Sequence, residues 1–211
     1  MKNQWDKIFN LKGRVLIKPQ PDLPKIVKLF KKKGVKKILD LGCGSGRHLV
    51  YLSKKRFEVY GIDIAKHGIE IAKKWLEKEK LKANLKIGDI YKKLPYANNF
   101  FDALISVRVI THGKIKDIRK TIKEIERILK PKGLIFITVL EKGGWKKFKI
   151  IEPRTIIPLE GKEKGLVHYY FNKAIIKKEF KNFKISKIWL DSKDLYSSSN
   201  HRAFIGELKN K

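Results

Sequence analysis

Residues 38–64 read ILDLGCGSGRHLVYLSKKRFEVYGIDI. An apolar run, Ile38, Leu39 and Leu41, surrounds Asp40 and runs into Gly42-Cys43-Gly44-Ser45-Gly46. Leu49, Val50 and Leu52 then recur at helical spacing, and a second apolar run from Phe57 to Ile62 ends on Asp63. Strand, glycine turn, helix, strand is the order of a βαβ unit in an open α/β sheet. Glycines let the chain leave the first strand sharply and let a ligand approach bare backbone. An acid at the end of the second strand, Asp63, can accept both hydroxyls of a ribose.

Two nucleotide-binding patterns use such a unit. A dinucleotide fingerprint is G-x-G-x-x-G, with a pyrophosphate against the helix N-terminus. Here the spacing is G-x-G-x-G, Gly42, Gly44 and Gly46, and a carboxylate, Asp40, stands at the turn. That charge repels a pyrophosphate but suits a cationic amino group. D-L-G-C-G-S-G with an acid 23 positions after Asp40 resembles the first two motifs of the class I methyltransferases. The competing reading is a glycine turn of another α/β protein. The resemblance implies one Rossmann-like α/β domain, a three-layer sandwich whose seven-stranded, mostly parallel sheet ends in an antiparallel edge hairpin. It also implies S-adenosyl-L-methionine as cofactor and S-adenosyl-L-homocysteine as product, bound by Asp40, Gly42, Cys43, Gly44, Gly46 and Asp63.

Downstream, residues 65–80 read as a helix and 84–87 as a short strand ending at Gly88-Asp89-Ile90. The resemblance gives Asp89 the adenine amino group, with Ile64 and Ile90 flanking the ring; a turn-forming Asp is the plainer reading. Residues 94–106 resemble the family's L-P-F-x-D-x-x-F-D stretch and fourth strand. Ligands in open α/β sheets sit beyond the carboxyl ends of the strands, so Ser106 to Gly113 is expected to face the site, with Ser106 at the cofactor. No N/D/S-P-P-Y/F motif of base-amine methylation stands there, and the lone Cys43 lies in the turn rather than in a nucleophile's place. The periodicity predicts a helix over 117–129, and the stretch into 134–140 matches the family's post-helix signature, so the resemblance spans about 38–140.

Ahead of the turn, Trp5 to Phe9 predicts one or two helical turns, and Asp22 is placed to cap a helix over 23–33 that Gly34 ends. Residues 1–34 form a cap segment in which Trp5 is either a lid aromatic or a core anchor. Residues 141–171 lack apolar periodicity and are long for a loop; the expectation is an irregular substrate cover. Within it Tyr169 or Tyr170, together with His168, is expected to line an acceptor pocket opposite the cofactor methyl, or else the segment anchors the sheet edge. A helix over 173–180, a strand over 184–190, a polar turn over 191–199 and a strand over 201–208 complete the chain. Of five histidines, His112 and His168 are the candidate bases; His48 faces the cofactor or packs, and His67 and His201 read as structural or exposed.

The 211 residues suit a single domain spanning 1–211. No apolar run approaches the roughly 18 residues that span a bilayer, so no membrane role is expected and the cytoplasm is the default. One cysteine excludes an internal disulfide or a multi-cysteine zinc site, and no metal is expected. A net charge of +30, carried by 43 Lys and 8 Arg, has two readings: scattered solubilising lysines, or a nucleic-acid surface. The G-R-H-L-V-Y-L and H-Y-Y-F segments look most like ubiquinone-pathway and tellurite or thiol methyltransferases. The expectation is therefore methyl transfer to an N, O or S nucleophile of a small molecule, with RNA methylation as the alternative.

Overall fold

A computed structural model describes residues 2–14, 17–191 and 199–210. In chain order the elements are α1 (Lys2–Lys12), α2 (Leu23–Lys32), β1 (Lys37–Leu41), α3 (Arg47–Lys54), β2 (Glu58–Asp63), α4 (Lys66–Lys78), β3 (Asn84–Ile87) and β4 (Phe101–Val107). They continue with α5 (Ile115–Ile128), β5 (Leu129–Lys142), β6 (Phe148–Glu152), β7 (Thr155–Pro158), β8 (His168–Tyr169), α6 (Lys173–Glu179), β9 (Phe183–Leu190) and β10 (Asn200–Leu208).

Seven strands form one sheet in the order β3-β2-β1-β4-β5-β10-β9. β1 lies parallel to β2 and β4, whereas β10 runs antiparallel to both β5 and β9. Strand β1 is central and apolar on both faces, and alternation along it separates two cores. Ile38 joins Leu23, Phe30 and Leu49 beneath α2, α3 and α4. Leu39 and Leu41 join Ile118, Ile122 and Ile176 beneath α5 and α6. Helices on both faces of the sheet make the expected three-layer sandwich.

The cover departs from expectation. Within 141–171, β6, β7 and β8 form a second, three-stranded antiparallel sheet. Glu152 pairs with Thr155, so Pro153 and Arg154 make a two-residue turn, with Arg154 at φ 63°. Proline at the first corner and positive φ at the second is a turn usually marked by glycine or asparagine, and strands of 4–5 residues are too short to show a period. Likewise α1 runs 11 residues rather than one or two turns, because tertiary contacts hold it. Asp22 does not cap α2 with its side chain. Its Oδ2 accepts instead from Gln20 Nε2 (3.1 Å) and Trp189 Nε1 (2.8 Å). Most of the polar turn expected over 191–199 lies outside the described residues. No described helix is long and apolar enough to cross a membrane.

Candidate functional site

The first βαβ turn is fixed by main chain. The amides of Gly42 and Cys43 both donate to Ile62 O (2.8 and 3.1 Å), tying the turn to the end of β2. Gly42 sits at φ 82°, and a Cβ there would lie 2.4 Å from the Val109 side chain. Asp63 closes the arrangement: its Oδ2 accepts from Gly44 N (2.8 Å) and its Oδ1 from Ala65 N (2.9 Å). Burial raises the Asp63 carboxyl above its ordinary range, and these amides pull it partly back. Asp89 Oδ1 accepts from Tyr91 N (2.9 Å).

These groups form one end of a cavity of about 690 Å³, lined there by Gly42, Cys43, Gly44, Asp63, Ile64, Asp89 and Ile90. That volume lies in the range of small-molecule sites, roughly 300–1,000 Å³. Three expected cofactor residues stand behind the lining. Asp40 is fully buried, its two oxygens without a hydrogen-bond partner among the described residues and Oδ2 3.6 Å from His48 Nδ1. Gly46 is the N-cap of α3, where a Cβ would meet Ala72 Cβ at 2.8 Å. Ser106 is also fully buried and donates its hydroxyl to Leu41 O (3.0 Å), bracing β4 against β1. Val107 and Arg108 take the place at the cavity expected of Ser106, Arg108 at φ 60° just past the strand.

The other end is walled by Trp5, His112, Trp145, Glu163, His168 and His201. Four of these carry rings that meet in series, Trp5 edge-on to His112 at 5.1 Å, His112 edge-on to His168 at 4.7 Å, and Trp145 tilted against His168 at 4.4 Å between centroids. Burial keeps both central imidazoles neutral, pushing His112 down to about 4 and His168 to about 2. The main chain at Arg108 and Val167 opposes that fall only in part for His112. His112 Nδ1 and both nitrogens of His168 have no hydrogen-bond partner among the described residues. The cover is stitched to the sheet, Tyr169 N donating to Thr111 O and Phe171 N to Leu140 O, each at 2.8 Å.

Strand alternation divides the H-Y-Y-F segment. His168 reaches the cavity, while Tyr169 and Phe171 pack into the core, so neither tyrosine lines the pocket as expected. His201, expected to be structural or exposed, lines the cavity because β10 runs antiparallel beside β5. Trp5 lines the cavity. Its helix is held by Asp6, whose carboxylate accepts from His67 N (2.8 Å) and contacts His67 Nδ1 (2.8 Å). The Gln4 side chain also donates to Lys164 O in the cover. Glu163 gave no sign in the sequence, since E-G-K-E-K-G reads as solvated charge.

Residues 38–133 match the family described as a methyltransferase domain. A ubiquinone biosynthesis O-methyltransferase of Pelagibacter ubique is 34% identical over 106 residues, 50% of this chain and 42% of that protein. Over these residues the chain is similar to the class I methyltransferases. It spans about half the length of the curated relatives it matches. In fold it is similar to a methyltransferase from Methanosarcina mazei, with TM-score 0.72 and 20% identity over 84% of this chain and 94% of that one. A 1,6-didemethyltoxoflavin-N1-methyltransferase of Burkholderia thailandensis, seen with its substrate and S-adenosylhomocysteine, has TM-score 0.73 at 13% identity, over 99% of this chain and 87% of that one. The class I methyltransferases use S-adenosylmethionine, and the residues present fit it. Gly42 and Gly44 line the cavity at a turn packed too closely against Val109 and Phe9 to admit a side chain. The Asp40 carboxylate, which accepts no hydrogen bond among the described residues and has His48 Nδ1 at 3.6 Å, sits behind that turn, where a cationic amino group suits it. Asp63 retains acceptor capacity for a ribose after its two amide bonds.

Proposed function

We propose that this methyltransferase moves the methyl group of S-adenosylmethionine to a nucleophilic N, O or S atom of a small molecule. The observation that carries the reading is a single cavity with a nucleoside-type end, Asp63 and Asp89, and an aromatic end, Trp5, Trp145, His112 and His168. The sulfonium already makes its methyl carbon electrophilic. What the chain adds is alignment and exclusion of water. Asp63 takes the ribose hydroxyls, Asp89 the adenine amino group, and Ile64 and Ile90 the ring faces. Trp5 and Trp145 close the opposite end over a flat acceptor, with His112 and His168 along its edge. The Pelagibacter and Burkholderia enzymes, by their names, act on small molecules, which agrees with this reading.

RNA gains no support from the site. Its acceptor end lies under α1 and the cover, bridged by Gln4 and Lys164, and the lysines are spread over the outer faces of several helices. A cytoplasmic place remains part of the proposal.

Calorimetry tests it: S-adenosylmethionine and S-adenosylhomocysteine should each bind with 1:1 stoichiometry. Binding of NAD without response to either would overturn the reading.

A further inference from the structure

Resting on that function, we propose that Glu163 receives the acceptor's proton and that the acceptor is a neutral molecule with a weakly acidic O–H or S–H group. Glu163 is set over the aromatic end by its own loop: Leu166 N donates to Glu163 O (3.0 Å) and Gly165 N to Pro158 O (2.9 Å). The Gln4 contact to Lys164 O fastens the same loop to α1. Glu163 Oε2 lies 3.7 Å from His168 Nε2, too far for a hydrogen bond, so the carboxylate is not consumed by the imidazole beside it. A hydroxyl or thiol bound against His168 and His112 is thus within reach of a carboxylate that no hydrogen bond among the described residues ties down.

The choice of base follows from what surrounds each group. Glu163 is faced by Arg108 from the end of β4 and by His168 from β8, with His112 and His201 beyond. Burial holds His112 and His168 neutral, so neither ring is suited to keep a proton near neutral pH. The same burial raises the Glu163 carboxyl, only partly opposed by Arg108, and makes it a better proton acceptor than an exposed glutamate. The choice of acceptor follows from charge. At this end Lys162 balances Glu163, Arg108 is paired with the buried Asp191 carboxylate at 3.5 Å, and the donor's sulfonium is the cation left over. An ammonium would be repelled there, whereas a neutral phenol or thiol is not.

In the step, the acceptor's O–H or S–H bond breaks and its proton passes to a Glu163 carboxylate oxygen. The freed electron pair forms the bond to the methyl carbon, and the methyl–sulfur pair returns to sulfur. The proton then leaves to water.

The experiment compares wild type with Glu163→Gln, which keeps shape and removes the base. Acceptors are phenols and thiophenols of graded acidity, read as S-adenosylhomocysteine formed, with product affinity measured by calorimetry in parallel. The variant should bind S-adenosylhomocysteine as wild type does and lose about hundredfold or more in kcat with weakly acidic acceptors. It should keep its rate with acceptors already ionised at the assay pH. In wild type, kcat/KM with weak acids should fall on the acid side, and Glu163→Gln should lose that inflection. A uniform loss across the series, or no loss, overturns the role of Glu163. Wild type that binds product but methylates no member overturns the acceptor class and leaves the cofactor reading standing. Wild type that binds neither S-adenosylmethionine nor its product overturns both.

Discussion

The two ends of the cavity are held by different means. At the glycine turn the contacts are main chain and local: amides of Gly42, Cys43, Gly44 and Ala65 reach Ile62 O or the Asp63 carboxylate, all within one βαβ unit. At the far end the wall is side chain and long-range. Trp5 comes from α1, His112 follows β4, Trp145, Glu163 and His168 belong to the cover, and His201 to β10. An anchor built of backbone tolerates almost no change at its glycines. A wall built of separate side chains can be altered one ring at a time. Variants at the first end should therefore abolish binding, and variants at the second should slow turnover while binding persists.

The largest effect is expected of Gly42→Val. The new Cβ would sit 2.4 Å from Val109 at a φ of 82°. Left-handed strain costs about 1–2 kcal/mol and overpacking roughly 1–3 kcal/mol. Thermal melting should shift down by several degrees, and calorimetry should show no cofactor binding. A variant that binds normally would break the assignment of the turn.

Asp63→Asn comes next. Each charge-assisted hydrogen bond is worth about 1.5–3 kcal/mol, so affinity for S-adenosylhomocysteine should fall roughly ten- to hundredfold. The same carboxylate sets a pH dependence. Burial raises its pKa in the free protein, and the ribose hydroxyls need the ionised form. Affinity should be full above that raised value and lost as pH falls through it, at a higher pH than for an ordinary aspartate. Stability of the free protein has the opposite sign: the folded state holds this proton more tightly than the unfolded, so the contribution weakens as pH rises. Calorimetry and melting across a pH series, with Asp63→Asn as the control, check both signs.

How much of this was legible follows the same division. The turn and Asp63 could be read because one contiguous stretch carries both strands, the glycines and that acid, whereas Asp89 was reached only through the resemblance. Asp40, Gly46 and Ser106 were read as touching the cofactor and lie one layer back, since a motif gives the neighbourhood but not which way a side chain faces. Glu163 and His201 had no signal, because their place depends on how the cover folds and on β10 lying beside β5. The β6–β7 hairpin was hidden by strands too short to show a period and by an arginine at the positive-φ corner.

The smallest effect sharpens the role of α1. Asp6→Ala removes acceptors from His67 at a half-buried contact, and partly solvated ion pairs count for little. Affinity for S-adenosylhomocysteine should drop by no more than about fivefold, whereas limited proteolysis should cut α1 faster. Loss of all binding would mean that α1 belongs to the anchor and not to the lid.

The comparison of the two ends stands or falls on paired calorimetry and turnover of Asp63→Asn and His168→Phe. The account predicts that Asp63→Asn weakens S-adenosylhomocysteine at least about tenfold. It predicts that His168→Phe binds product as wild type does but methylates about tenfold or more slowly, having lost the polar edge that orients the acceptor. If His168→Phe loses product affinity along with Asp63→Asn, or both bind and turn over normally, the cavity does not divide into a cofactor end and an acceptor end.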